Sequence, residues 1–225
     1  MCGIIGYTGS EDVREVLLDA LELLEYRGYD SAGIALRDEE SGKTEVRKCA
    51  GRVSDLRAIC MSEKVVSQCG IGHTRWATHG GVNDCNAHPH QVGKVTLVHN
   101  GIIENYRELI ADYDLADTLK SETDSEVVAA LLNRFYEGNP EEAIKKTVSK
   151  LKGTFALVIL FEDQKDVIYS TRNVSPIVAT ICKEGAMLAS DLTALCRFTN
   201  RYFVVPEYHI LKLSADKLTD RKSVV

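Results

Sequence analysis

The order of helix-like and strand-like segments along the chain constrains the fold more than any other feature of the sequence. Apolar residues at helical spacing predict helices at residues 11–26, 53–62, 105–112, 124–137 and 140–151. Strand patterns lie around them, at residues 2–7, 32–38, 44–49, 69–76, 94–100, 154–161, 166–172, 177–182, 186–189, 202–205 and 208–213. Because helices and strands do not alternate regularly, we expect an α+β fold of mostly antiparallel sheets with helices on their outer faces, not a doubly wound parallel sheet.

Several predicted helices carry signals for their ends. Ser10 can cap the first helix, and Gly28 can close it. Asn139 can cap the last helix, which has Pro140 in its first turn. In SETDSE, residues 121–126, either Thr123 or Asp124 can cap the helix that follows.

Length and charge exclude several classes of protein. A chain of 225 residues can bury a core without disulfides, and we expect residues 1–225 to form one domain. The net charge of −6 and the absence of a Lys/Arg block argue against a nucleic-acid partner. No apolar run approaches the length of a membrane span, and no signal peptide opens the sequence.

Cysteine and histidine spacing argues against disulfides and metal sites. The cysteine count is odd and no pair follows the C-x-x-C spacing, so we expect reduced thiols in a cytoplasmic protein. His88 and His90 flank a proline, but neither an H-E-x-x-H motif nor a carboxylate at matching spacing accompanies them. We therefore expect neither a metal nor a cofactor. His73 and His99, inside apolar strands, are expected to be hydrogen-bonded core residues.

Polar residues concentrate in short clusters beside the predicted strands. These clusters also have purely structural explanations: Asn100-Gly101 is a hairpin signal, Arg75 could form a surface ion pair, and SETDSE could be no more than a helix N-cap. The clusters are EYRGYDSAG (25–33), HTRWATHGG (73–81), NAHPH (86–90), VHNGIIEN (98–105) and SETDSE (121–126).

Cys2 is a candidate nucleophile that these clusters could serve. It could be a small buried residue of the first strand. Removal of Met1 would instead give one residue both a thiol and a free α-amine, whose pKa of about 7.7–8.0 lets it accept a proton near neutral pH. An N-terminal nucleophile of this kind needs no histidine partner. We therefore predict that Cys2 is a nucleophile and that its own amine is the base.

The clusters supply the other groups that such a nucleophile needs. The Asn100 amide and the Gly101 N–H, held by a turn at the end of a buried strand, can donate to the anionic oxygen formed by attack on a carbonyl. Arg75 offers a planar fork for a carboxylate, and Asp124 a counter-charge for an ammonium. Glutamine, a zwitterion with a side-chain amide, fits this combination.

The motifs also resemble a known family. CGIIG, LEYRGYDSAGIA, HTRWATHG, NAHPH, VHNGIIEN and SETDSE closely resemble the N-terminal glutaminase domains of glucosamine-6-phosphate synthases, which are class II glutamine amidotransferases. The resemblance runs from Cys2 almost to the end of the chain and includes TRNVSP (171–176) and ASD (189–191). CGI is shared across the class, whereas LEYRGYDSAG, HTRWATHG and NAHPH together point to this member.

The resemblance implies a fold and a reaction. The fold is a four-layer αββα sandwich of the N-terminal nucleophile hydrolase type. The reaction is hydrolysis of L-glutamine to L-glutamate and ammonia through a γ-glutamyl thioester on the cysteine. In the family, the ammonia serves glucosamine 6-phosphate synthesis from fructose 6-phosphate.

The resemblance also implies a role for each matching residue. Cys2 is nucleophile and base, Asn100 and Gly101 form the oxyanion hole, and Arg75 and Asp124 bind the α-carboxylate and α-amine. The remaining residues close over glutamine (Trp76, Thr78 and His79), line the pocket (His88) or order the nucleophile end (Arg27).

Two departures from the family limit the resemblance. Family members continue into sugar isomerase domains, which we expect to lie outside these 225 residues. The expected partners are therefore L-glutamine and the isomerase domain of a longer protein, with a monomeric isolated domain and a homo-oligomeric full-length protein. Gly81 and Val82 stand where a more polar stretch is expected.

Three alternative functions stay open. The chain could be the glutaminase domain of another class II enzyme, in purine or asparagine synthesis, although LEYRGYDSAG argues against this. It could be a non-catalytic glutamine sensor, although Cys2, Arg75, Asn100, Gly101 and Asp124 are all present. It could be an N-terminal nucleophile hydrolase acting on other amides or peptides, although a paired cation and anion favour a free amino acid.

Overall fold

The computed structural model of the chain describes residues 2–61, 65–77 and 80–222. The helices are α1 (Val13–Leu24), α2 (Val53–Met61), α3 (Tyr106–Asp112), α4 (Asp124–Phe135) and α5 (Pro140–Val148). The strands are β1 (Gly3–Gly9), β2 (Ser31–Arg37), β3 (Thr44–Ala50), β4 (Cys69–Arg75), β5 (His90–Val92), β6 (Val95–Ile103), β7 (Gly153–Phe161), β8 (Ile168–Asn173), β9 (Val178–Cys182), β10 (Gly185–Ala189), β11 (Phe203–Val204), β12 (His209–Ser214) and β13 (Lys217–Lys222).

The strands form two antiparallel sheets. The first sheet has seven strands in the order β11-β9-β10-β1-β4-β2-β3, and the second has six in the order β13-β12-β8-β7-β6-β5. The first strand of the chain therefore lies inside its sheet, between β10 and β4. This position holds the N-terminal segment from both sides.

Three apolar clusters fix the order of the layers. One lies between the sheets and includes Ile4 of β1 and Val158 of β7. A second packs α1 and α2 on the outer face of the first sheet, with Leu17 of α1 fully buried. The third packs α4 and α5 on the outer face of the second sheet, around Leu131 and Ile144. The four-layer αββα sandwich expected from the sequence is confirmed.

The start of α1 differs from the prediction. Asp12, not Ser10, caps the helix, because its carboxylate accepts a hydrogen bond from the Arg14 N–H at 3.0 Å. The Ser10 hydroxyl instead donates to the Glu184 carbonyl, so the first turn of α1 depends on Asp12. The helix ends at Leu24 and is followed by a 3-10 turn, Glu25–Arg27.

Gly28, predicted to close α1, instead follows the 3-10 turn, whereas the predicted caps of α4 and α5 are present. Thr123 caps α4 by accepting from the Glu126 N–H at 3.3 Å, which decides between the two candidates in SETDSE. Asn139 caps α5, and Pro140 is its first residue. Helices α1, α4 and α5 therefore begin where the sequence provides an oxygen acceptor, whereas Asn105 makes no such bond at the start of α3.

The structure corrects two further predictions. Asn100 and Gly101 do not form a turn, because β6 continues through them and pairs them with Ala156 and Phe155 of β7. A two-residue hairpin needs positive φ at both residues (type I′) or at the first (type II′), and of this pair only the second, Gly101, has it, at 138°. Strands β5 and β13 were also missed by the sequence patterns.

Membrane-spanning helices, disulfides and metal-binding clusters are all absent from the described residues. None of their helices is long and apolar enough to cross a membrane. All seven cysteines lie within them, and the structure joins none of these cysteines in a disulfide. No group of three or more His, Cys, Asp or Glu side chains in this part of the chain could hold a metal ion.

Candidate active site

A cavity of about 310 Å³ opens where β1 begins, within the size range of small-molecule sites. Residues from both sheets and from the start of α4 line it. Thr78 and His79 lie outside the described residues. The other eight residues predicted from the sequence all line this one cavity: Cys2, Arg27, Arg75, Trp76, His88, Asn100, Gly101 and Asp124.

Cys2 is held by its backbone while its thiol faces the cavity. The Cys2 carbonyl accepts hydrogen bonds from Arg27 Nε at 3.0 Å and from Asn100 Nδ2 at 3.1 Å. The Trp76 N–H donates to the sulfur at 3.2 Å. Cys2 is only partly buried, unlike the core residues of β1 that follow it. The geometry therefore favours a reactive role over that of a packed core residue.

Burial raises the pKa of the Cys2 thiol, and the hydrogen bond from the Trp76 backbone only partly offsets this. The sulfur is therefore protonated at neutral pH and needs a base to become a nucleophile. The α-amine that removal of Met1 would expose belongs to the same residue as the sulfur and could take this proton.

Arg27 is fixed by a residue from the other end of the chain. Its guanidinium forms an ion pair of 2.7 Å with Asp191, which also accepts a hydrogen bond from the Tyr26 hydroxyl at 2.8 Å. Burial alone would raise the pKa of Asp191, but hydrogen bonds from Thr193 and Tyr26, and then the charge of Arg27, hold it below its usual value. The ASD segment matches the family in sequence, but the sequence alone predicts no role for Asp191.

Asn100 and Gly101 both line the cavity, and Asn100 brings a side-chain donor to it. The Asn100 Nδ2 lies beside Cys2, as its hydrogen bond to the Cys2 carbonyl requires. A side chain at position 101 would place its Cβ 2.0 Å from the Thr154 carbonyl, and the φ of 138° is unfavourable for other residues. Glycine is therefore needed there for β6 to approach β7 and keep its backbone at the cavity.

A buried cation and a buried anion face the same cavity. Arg75, at the end of β4, donates to the carbonyls of Gly81 at 3.2 Å and Gly80 at 3.4 Å. Its burial excludes the alternative of a surface ion-pair residue. Asp124, the first residue of α4, accepts from the Ile103 N–H at 2.8 Å. The two opposite charges suit the two ends of an amino acid.

Four buried histidines lie close together at positions 73, 88, 90 and 99, and two of them, His88 and His99, line the cavity. The rings of His73 and His88 stack with centroids 4.1 Å apart, and His88 meets His90 edge-on. Burial lowers the pKa of His73 to about 3, and it also lowers the pKa of His88 and His90 well below the usual value. These three rings are therefore neutral at pH 7.

Trp76 forms part of the rim of the cavity. Its side chain is 51% exposed and packs edge-on against Tyr29, with ring centroids 5.9 Å apart. Arg52 in turn lies over the Tyr29 ring. The exposed Trp76 side chain therefore lies where the cavity meets solvent.

Sequence reasoning missed several residues of the cavity wall. Two of them, Ser175 and Pro176, belong to the TRNVSP segment, whose match to the family was the only available signal. Thr123 and Ser125 belong to SETDSE, which was interpreted mainly through Asp124. The others are His99, Ile102 and Thr154.

Comparison with proteins of known sequence identifies close relatives of the chain. It is 44% identical over 229 residues to the glutamine–fructose-6-phosphate aminotransferase (isomerizing) of Bacillus licheniformis, covering 100% of this chain and 37% of that protein. It is 45% identical over 223 residues to the protein of the same name from Halalkalibacterium halodurans, covering 97% of this chain and 37% of that protein. The chain therefore spans well under half the length of these relatives.

Solved structures share the fold. The glutamine phosphoribosylpyrophosphate amidotransferase of Bacillus subtilis superposes with a TM-score of 0.85 at 24% identity, covering 100% of this chain and 50% of that one. A glutamine aminotransferase class-II domain protein from Silicibacter pomeroyi gives a TM-score of 0.68 at 16% identity, covering both chains completely.

The family model described as "Glutamine amidotransferase domain" matches residues 78–197, which is more than half of the chain. Asn100, Gly101 and Asp124 fall within the matched segment, and Cys2 and Arg75 lie before it. The chain belongs to the glutamine amidotransferase domain family.

Proposed function

We propose that this domain hydrolyses L-glutamine to L-glutamate and ammonia through a γ-glutamyl thioester on Cys2. The observation that carries the proposal is the single cavity in which the Cys2 thiol, the Arg75 guanidinium and the Asp124 carboxylate meet. A thiol beside one cation and one anion matches a zwitterionic amino acid with a reactive side chain. Relatives named glutamine–fructose-6-phosphate aminotransferase support glutamine as that amino acid.

Substrate binding uses the two charges. Arg75 binds the α-carboxylate of glutamine through its planar fork, exchanging hydrogen bonds that it now makes to the Gly80 and Gly81 carbonyls. Asp124, fixed by the Ile103 N–H, binds the α-ammonium. The side-chain amide of glutamine then extends towards Cys2.

The first chemical half-reaction forms the thioester. After Met1 has been removed, the α-amine of Cys2 takes the thiol proton, and the thiolate attacks the amide carbon. Asn100 Nδ2 and the Gly101 N–H donate to the oxygen as it becomes anionic. The ammonium then returns the proton to the leaving nitrogen, so the C–N bond breaks and ammonia departs.

The second half-reaction releases glutamate. A water molecule attacks the thioester carbon while the Cys2 amine takes one of its protons. The same two donors stabilise the second anionic oxygen. The C–S bond breaks, the sulfur regains its proton from the amine, and glutamate carries away the water oxygen.

We further propose that the domain is part of a longer protein in which the ammonia converts fructose 6-phosphate to glucosamine 6-phosphate. The two relatives with this name are far longer than the chain, which spans 37% of each. Conversion of both substrates to glucosamine 6-phosphate by the full-length protein would support this step. Transfer to a different acceptor would assign the chain to another class II enzyme. A cytoplasmic location and a homo-oligomeric full-length protein stay predictions from the sequence.

Replacement of the nucleophile tests the glutaminase proposal. Cys2→Ala should abolish ammonia release from glutamine, because Cys2 is the only cysteine among the described residues that line the cavity. Cys196→Ala, which removes an exposed cysteine, should keep full activity. The measurement is glutamate and ammonia production with purified protein, whose intact mass should show the loss of Met1.

Covalent labelling supplies an independent readout. The electrophilic glutamine analogue 6-diazo-5-oxonorleucine should modify Cys2 and none of the other six cysteines, as mapped by mass spectrometry of peptides. Glutamine turnover by Cys2→Ala, or full activity in protein that uniformly retains Met1, would refute the mechanism. Glutamine binding without turnover in the wild type would instead identify a sensor.

A further inference from the structure

A buried histidine outside the proposed mechanism contacts the amide of Asn100. His73 lies in β4, is 1% exposed, and has its Nε2 3.0 Å from Asn100 Oδ1 and 3.1 Å from the His99 carbonyl oxygen. Both neighbours of this nitrogen are oxygen acceptors. The sequence predicted only a hydrogen-bonded core histidine at this position.

The orientation of the Asn100 amide follows from its other contact. Its second polar atom lies 3.1 Å from the Cys2 carbonyl, which can only accept a hydrogen bond, so this atom is the nitrogen Nδ2. The atom that faces His73 is consequently the oxygen, and His73 Nε2 must carry the proton. One continuous path thus runs from His73 through the amide to the backbone of Cys2.

The surroundings of His73 keep its ring neutral and fixed. Among the described residues, Nδ1 has no hydrogen-bond partner, and the face of the ring stacks on His88 at 4.1 Å. Burial lowers the pKa of His73 to about 3, so the ring does not become a cation at neutral pH. Its backbone pairs with Ile4 of β1 and Gly33 of β2, which holds the donor rigidly.

We propose that His73 is a positioning residue of the oxyanion hole, which donates from Nε2 to Asn100 Oδ1 and thereby holds Nδ2 towards Cys2 and the reacting carbonyl. This inference rests on the proposed function, because it assigns to His73 an effect on the oxyanion donor of the glutaminase reaction. It acts through Asn100 and does not itself touch the substrate.

The shape of an asparagine side chain explains why such a residue is needed. The oxygen and nitrogen ends of the amide are almost identical in size, so packing alone does not select one orientation. Reversal would place Oδ1 where the anionic oxygen develops and would replace a donor with a repulsive contact. A fixed N–H donor on one side and the Cys2 carbonyl on the other select a single orientation.

The proton position in His73 can be measured without any activity assay. Long-range ¹H–¹⁵N NMR spectra of histidine-labelled protein distinguish a protonated Nε2 from a protonated Nδ1. Comparison with a His73→Gln spectrum assigns the signals. A protonated Nε2 and bare Nδ1 at pH 7 support the proposal, whereas a protonated Nδ1 with bare Nε2 would overturn it.

A matched pair of amide variants tests the effect on catalysis. In His73→Gln the side-chain amide nitrogen can reach approximately the position of Nε2, whereas in His73→Asn it reaches only that of Nδ1. We expect His73→Asn to lower kcat by ~10–100-fold, as loss of a positioning contact does elsewhere, and His73→Gln to recover most of it. Glutamate affinity should change less than ~3-fold in both, since ground-state binding is assigned to Arg75 and Asp124.

A double-mutant cycle separates positioning from general damage. If His73 acts through Asn100, adding His73→Asn to Asn100→Ala should cause no further loss of kcat. His90→Asn changes another buried histidine of the same cluster and serves as the control. It should change kcat by the same factor in the wild type and in Asn100→Ala. Thermal unfolding of each variant identifies any that fail to fold, in which case His73→Gln and the NMR measurement decide.

The outcomes distinguish this inference from the proposed function. If the wild type releases no ammonia, the glutaminase proposal fails, and the proton position still tests the contact on which positioning depends. If the wild type is active and Asn100→Ala is impaired, equal kcat values for His73→Gln and His73→Asn would overturn positioning. The positioning role would also be overturned if the kcat losses of His73→Asn and Asn100→Ala multiply in the double variant.

Discussion

At the scale of single residues, burial sets the protonation state of the groups around Cys2. Burial raises the pKa of the Cys2 thiol and lowers that of His73, His88 and His90, so each favours its neutral form. A neutral thiol fits a mechanism in which proton transfer to the Cys2 amine accompanies attack. Neutral histidines can donate and accept hydrogen bonds without adding charge beside a substrate that carries two.

These neutral histidines predict a loss of stability in mild acid. In the unfolded chain these three histidines take up protons near the ordinary pKa of ~6.5, whereas in the folded chain they stay neutral at that pH. Because the unfolded state binds more protons below this pH, the free energy of unfolding should fall between pH 7 and pH 5, by ~2 kcal/mol for each of the three histidines. Urea unfolding at the two pH values measures the change.

A variant isolates one histidine in this titration. His90→Gln should reduce the acid-induced loss by ~2 kcal/mol, because one titrating group is removed. Carboxylates with a lowered pKa, such as Asp191, lose their contribution to the free energy of unfolding only below about pH 4. They therefore do not affect the comparison between pH 7 and pH 5. An unchanged loss in His90→Gln would show that other groups cause the acid sensitivity.

At the scale of elements, the N-terminus of α4 joins a structural signal to a proposed ligand of the substrate. Thr123 Oγ1 accepts from the Glu126 N–H and lies 3.0 Å from His90 Nε2. The next residue is Asp124, whose carboxylate is proposed to bind the α-amine. The cap therefore fixes both the start of the helix and the position of the anion.

Two helix caps provide a matched test of this link. Asn139→Ala should lower the free energy of unfolding by ~1 kcal/mol, because it removes one capping acceptor. Thr123→Ala should lower it by ~1–3 kcal/mol more, because it also removes the contact of buried His90 Nε2. Thr123→Ala alone should also raise KM for glutamine several-fold, since Asp124 follows it directly. Equal KM values in the two variants would show that the Thr123 cap does not determine the position of Asp124.

The sequence predicted most elements because their apolar patterns are regular. The buried side of α1, including Leu17 and Leu21, and the apolar run of β7 are examples. Strand β5 has three residues with an exposed centre, and β13 is mostly charged or polar, so neither has a recognisable apolar period. Their places are set by tertiary pairing with β6 and β12.

The candidate site was predicted less completely than the fold. Cys2, Arg75 and Asp124 could be selected because the chemistry requires a nucleophile, a cation and an anion. The contact between His73 and Asn100 could not be predicted, because it joins different sheets and depends on how the two sheets face each other. The residue pattern of a single strand does not show how the two sheets face each other.

At the scale of the whole molecule, residues from the two ends of the chain meet at β1. Strand β1 pairs with β10, so that Ile5 lies opposite Ala189. The Ile4 N–H donates to the Ser190 hydroxyl at 2.9 Å, and the Ser190 N–H donates to the Ile4 carbonyl at 3.0 Å. The strand that carries Cys2 is therefore anchored by residues distant in sequence.

Removal of the Ser190 hydroxyl should weaken this anchor. Ser190→Ala leaves the buried Ile4 N–H without its acceptor, so the free energy of unfolding should fall by ~1–3 kcal/mol. Ser149→Ala removes an exposed hydroxyl that bonds only within its own turn and should change the free energy by less than ~0.5 kcal/mol. Urea denaturation compares the two, and equal losses would contradict the role of Ser190.

The interior position of β1 also determines when the domain can be completed during synthesis. A ribosome delivers residues from the N-terminus, so β1 emerges first and β10 emerges almost a full domain later. Until residues 185–191 have been made, one edge of β1 lacks its neighbour and Arg27 lacks Asp191. The residue that is translated second is thus among the last to gain all its native contacts, and assembly of its cavity waits for the polypeptide to be nearly finished.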